Sequence, residues 1–69
     1  MPLSFSPAGS VVRIKEMKGK DETRRFLESL GFVVGENVTV VTELNGNLIV
    51  NVKQSRVAIS KSMASRILI

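Results

Sequence analysis

The sequence predicts a mainly β domain: a small barrel of about five strands with one short α-helix after the first strand. Three observations carry this. Residues 37–44 and 48–52 are rich in valine and threonine, which suit a pleated, half-buried surface. Between them lies Asn45-Gly46, and a type I′ hairpin turn needs positive φ at both of its central residues. The stretch 21–35, DETRRFLESLGFVVG, combines helical spacing of apolar residues with a glycine stop and a second glycine turn.

In chain order, Met1 to Ser10 is a lead-in in which Leu3 and Phe5 alternate with serines, and Pro7 and Gly9 then turn the backbone. Val11 to Met17 alternates as a first strand, with Val12, Ile14 and Met17 inward and Arg13 and Lys15 outward. Lys18-Gly19-Lys20 is a polar turn into the helix. Asp21 has the chemistry of an N-cap, a carboxylate that accepts from first-turn amides. Phe26, Leu27 and Leu30 are expected on the inward helix face, and Arg24, Arg25 and Glu28 on the outward one. Gly31 sits where a helix ends in left-handed backbone, a conformation cheap only for glycine. With Gly31 at C′, Phe32 should fold back onto Leu27. Gly35 is the expected positive-φ position of the following turn.

Beyond it, Val38, Val40 and Thr42 share one face of a strand, and Gly46 completes the hairpin turn. Leu48, Val50 and Val52 line the returning strand. Gln54-Ser55 is expected to make the next tight turn, before a short strand from Arg56 to Ile59. Ser60 can cap one helical turn, Lys61 to Ser65, that points Met63 and Ala64 inward. Ile67 to Ile69 forms a last strand that pairs with the first and closes an SH3-like barrel.

Composition narrows the chemistry. Sixty-nine residues allow one domain, residues 1–69, with one small core. The absence of cysteine and histidine excludes disulfides, thiolate or imidazole metal ligands, and Ser-His-Asp or Cys-His catalysis. No enzyme activity, no cofactor and no tight metal site is therefore expected. Gly19, Gly31, Gly35 and Gly46 form neither G-x-G-x-x-G nor a P-loop, and turn chemistry accounts for them. Asp21 and Glu22 suit the positive end of the helix dipole, and Glu28 lies four residues after Arg24. The N-terminus lacks a signal peptide's basic region and apolar run, and no apolar stretch reaches the ~20 residues of a membrane span. A soluble, cytoplasmic protein is expected.

The net charge of +4 is uneven. Residues 1–43 carry six basic and six acidic side chains, whereas residues 44–69 carry Lys53, Arg56, Lys61 and Arg66 with no acid. That basic third is the one feature suited to nucleic acid. Single-strand binders interleave such charges with aromatic platforms, and this chain has three phenylalanines and neither tyrosine nor tryptophan. Phe26 and Phe32 are assigned to the core, so no nucleic-acid partner is expected.

At the helix and its glycines the sequence resembles the FeoA family, ferrous iron transport protein A. The family pattern appears as Arg24, Leu27, Leu30-Gly31 and Gly35, followed by Val38 to Val41. The resemblance extends from Pro2-Leu3 through Val11 to Ile14, to Val57-Ala58-Ile59 and to Ala64-x-x-Ile67. It departs at Val34, where the family has proline, and at Pro7-Ala8-Gly9, which is one residue longer than the usual Pro-Gly. The resemblance implies a cytoplasmic SH3-like regulator that binds the cytosolic GTP-binding region of the ferrous iron transporter FeoB, reaching the membrane only through that partner. It makes Arg24, Arg25, Leu27 and Glu28 the candidate contact residues, with Leu27 also placed to serve the core. The SH3-like domain of diphtheria-toxin-type metal-dependent repressors is the alternative, and a small basic RNA-binding barrel a third. A chain that starts at Met1 without a winged-helix region is expected to be a whole FeoA-like protein, not a repressor fragment.

Overall fold

The computed structural model describes residues 1–69. Six strands form two antiparallel sheets around one core: β1 Val11–Arg13, β2 Glu16–Met17, β3 Asn37–Leu44, β4 Asn47–Val52, β5 Ser55–Ser60 and β6 Ile67–Leu68. Helix α1, Asp21–Ser29, follows β2, and the one-turn helix α2, Lys61–Ala64, precedes β6. One sheet has the order β1-β3-β4-β5, and β2 pairs with β6 in the other. Thirteen apolar side chains form the core, including Ile14, Leu27, Phe32, Val38, Val50, Val52 and Ile67.

The expected first strand, Val11 to Met17, is divided in two. Its inward residues explain the division: Ile14 is buried at an even position and Met17 at an odd one, so one unbroken pleat cannot face both inward. At the corner, the Ile14 amide donates to the Glu36 carbonyl at 3.0 Å, and the next amide, Lys15, donates to Leu68 at 2.8 Å. The chain thus leaves one sheet and enters the other within one residue, which closes the barrel.

The β3–β4 hairpin turns at Asn45 and Gly46, with φ of 51° and 80°, the type I′ signature. Leu48, Val50 and Val52 are buried along β4 as the alternation requires. Thr42 does not join Val38 and Val40 on the inner face. The register passes from Val40↔Val50 to Thr42↔Ile49, so Val41 is an extra residue in a β-bulge and side-chain parity flips beyond it. The next turn is Lys53-Gln54, one residue earlier than expected, with φ of 49° and 66°. Ser55 therefore opens β5, paired with Val52.

The Ser60 hydroxyl caps α2 by accepting from the Met63 amide at 3.2 Å, and Ala64 is fully buried behind it. The lead-in contributes more than alternation suggested. Leu3 lies in a single 3₁₀ turn, Leu3–Phe5, and is fully buried, while Pro2 bridges Leu68 and Ile69 donates to Met1 at 2.8 Å. The N-terminal residues therefore cover the outer side of β6.

Candidate functional site

Helix α1 begins one residue before the expected capping arrangement. Lys20, in extended conformation, holds the N-cap position without a side-chain bond, and Asp21 is the first helical residue. Asp21 and Glu22 still face the unpaired amides of the first turn, where negative charge is favoured. The other end is closed mainly by backbone, with the Ser29 hydroxyl donating to the Phe26 carbonyl at 2.5 Å. Gly31, at φ 107°, donates to Glu28 at 3.0 Å, and Phe32 donates to Leu27 at 3.1 Å, the bond pair of a Schellman motif.

The inward stripe is Thr23, Leu27 and Leu30, at spacings of four and three residues. Leu27 is fully buried and has no surface to present, so of the four candidate contact residues it belongs to the core alone. Phe26 borders that stripe, about 100° round from Leu27, and it is 51% exposed, not a core residue. An irregular position beside the stripe was the available sequence signal for this.

Asp21, Arg24, Arg25 and Glu28 recur at i, i+3, i+4 and i+7 on the opposite face, and all are exposed. They line a shallow surface recess of about 350 Å³ that no hydrophobic residue borders. Asp21 and Glu28 are two turns apart, roughly 10 Å of helix axis, with Arg24 and Arg25 on the turn between them. None of these charges is used internally: the only ion pair of the chain is Lys61–Glu43, at 2.7 Å. Small-molecule sites are mostly apolar clefts with a few polar groups. This face is charged throughout and does not have that character.

Gly31, Gly35 and Gly46 all have positive φ and act as turns. Gly35 is third in the turn Val33–Glu36, closed by the Glu36 amide on the Val33 carbonyl at 3.0 Å. Positive φ at that place defines a type II turn, which proline at position 34 would favour and valine tolerates. The four basic residues of the C-terminal third do not share one surface. Lys53 and Lys61 lie at opposite ends of β5, about 20 Å apart, and Lys61 is paired with Glu43. Arg66 lies beside Gly19, where an added Cβ would meet its Cδ at 3.4 Å. No three acidic side chains converge on a possible cation site.

The fold is that of a small SH3-like domain that carries a charged face on its one long helix. The FeoA domain family matches residues 1–69, and the chain belongs to that family, the A proteins of ferrous iron transport. A relative from Methanocaldococcus jannaschii assigned as Fe(2+) transport protein A is 29% identical over 68 residues, 99% of this chain and 83% of that one. The crystal structure of an iron uptake regulatory protein, FeoA, superposes with a TM-score of 0.87 at 32% identity, covering 96% of this chain and 88% of the other. The FeoA of Stenotrophomonas maltophilia, crystallised with zinc and described as a prokaryotic SH3 domain protein, gives 0.85 at 31% identity over 99% and 87% of the two chains. A manganese-dependent transcriptional repressor reaches 0.87 at 17% identity, over 97% of this chain and 39% of its own, which shows a common fold. No helix is long and apolar enough to cross a membrane.

Proposed function

We infer that this protein is a non-catalytic accessory of ferrous iron uptake that binds the cytosolic GTP-binding region of a FeoB-type transporter through the outer face of α1. Membership of the FeoA family supplies the pathway, and the unpaired charges of Asp21, Arg24, Arg25 and Glu28 supply the surface. Guanidinium groups that no internal carboxylate occupies are available for bidentate bonds to a partner's acidic side chains. The chain works on the cytoplasmic side and reaches the membrane only through its partner.

The test is a pull-down of the cognate transporter's cytosolic region. Arg24→Ala/Arg25→Ala should weaken capture and Arg24→Glu/Arg25→Glu should abolish it. Both substitutions lie on an exposed face, so folding should change little; the reversed pair adds like-charge neighbours at about 0.2–0.5 kcal/mol each. Capture at wild-type yield by the reversed variant, with an unchanged melting temperature, would rule the face out.

A further inference from the structure

We propose that the outer edge of β5 is a second docking surface, which captures an extended, acidic peptide segment of a partner by strand addition. In the sheet β1-β3-β4-β5, strand β5 is terminal, and its only partner is β4. The six-residue register is continuous from Asn47↔Ser60 to Val52↔Ser55, with neither bulge nor proline. The two-residue turn Lys53-Gln54 makes Val52/Ser55 a hydrogen-bonded pair. Alternation then directs the N–H and C=O of Arg56 and Ala58 away from β4. No backbone hydrogen bond outside the strands reaches either residue. Both are exposed, and the small side chain of Ala58 leaves the middle of the edge open.

Exposed edges are usually shortened, bulged or covered, because a row of free backbone groups recruits other strands. Here β1 has three residues, β3 is bulged, and β6 is covered by the N-terminus. Only β5 presents a regular, uncovered six-residue ladder.

Charge selects the occupant. Lys53 and Arg56 stand at the β4–β5 corner, and β5 itself carries no acid. A second copy is a poor occupant. Antiparallel pairing of two β5 strands about Ala58 would set Arg56 opposite Ser60 of the other copy, and β5 has no carboxylate to offer it. An acidic segment supplies one. Running antiparallel to β5, its C-terminal end meets Arg56.

The test needs no transporter, so its failure is distinct from failure of the α1 contact. The probe is a seven-residue synthetic peptide alternating valine and threonine and ending in two glutamates; its control ends in two lysines. In amide hydrogen exchange, saturating acidic peptide should slow the Arg56 and Ala58 amides at least about tenfold and leave α1 unchanged. The control should not. Ala58→Pro removes one outward N–H that the fold does not use and should weaken binding about tenfold; Arg56→Glu should do the same and leave thermal stability intact. Protection elsewhere, equal binding of the lysine peptide, or protection of β5 by self-association without peptide would each overturn the proposal.

Discussion

The Phe32 amide donates to the Leu27 carbonyl at 3.1 Å, and both side chains are fully buried in the same core. One backbone bond thus ends the helix and, in the same step, directs the next residue into the barrel. Gly31 is what permits it. A Cβ there would approach Lys53 and Val52 no closer than 3.5 Å, which is ordinary contact, so the demand is on the backbone, not on space.

Gly31→Val should therefore destabilise the protein by about 1–3 kcal/mol, because a β-branched residue is strained at φ 107°. The urea midpoint should fall while its slope stays constant.

The turn Lys53-Gln54 is strained in the opposite sense, with two non-glycine residues at positive φ. Gln54→Gly should relieve about 1–2 kcal/mol of left-handed strain and lose about 0.5–1 kcal/mol to the more flexible unfolded chain. A small net gain is expected, seen as a rise of a few degrees in melting temperature. A fall would show that the Gln54 side chain contributes more than its backbone costs.

Phe26 and Phe32 should separate cleanly. Phe32→Ala empties a fully buried site and should cost about 3–5 kcal/mol. Phe26→Ala, at a half-exposed position bordering the core stripe of α1, should cost far less, about 1 kcal/mol. Denaturant titration of both variants measures the contrast.

Ser60→Ala removes the only side-chain cap of α2 and should cost about 1 kcal/mol. Ser60→Gly should cost only a few tenths, which distinguishes lost capping from lost packing.

What the amino-acid sequence determined by itself is local. Asn45-Gly46, the Gly31 helix stop, the Ser60 cap and the alternation along β4 each depend on residues within a few positions of one another, and each stands where the residues indicate. Tertiary structure decided what depends on a distant partner. Val11 to Met17 reads as one strand, but β3 and β6 lie on different sides of the barrel and divide it at Ile14-Lys15. Thr42 turns outward because a bulge at Val41 adjusts β3 to β4. Phe26 is as apolar as Phe32, yet it lies beside the Thr23–Leu27–Leu30 stripe that α1 turns to the core and stays half-exposed. The charges of α1 were legible as an outward face from their spacing. That they remain unpaired, and that Lys53, Arg56, Lys61 and Arg66 do not share one surface, follows only once the strands carrying them are placed in space.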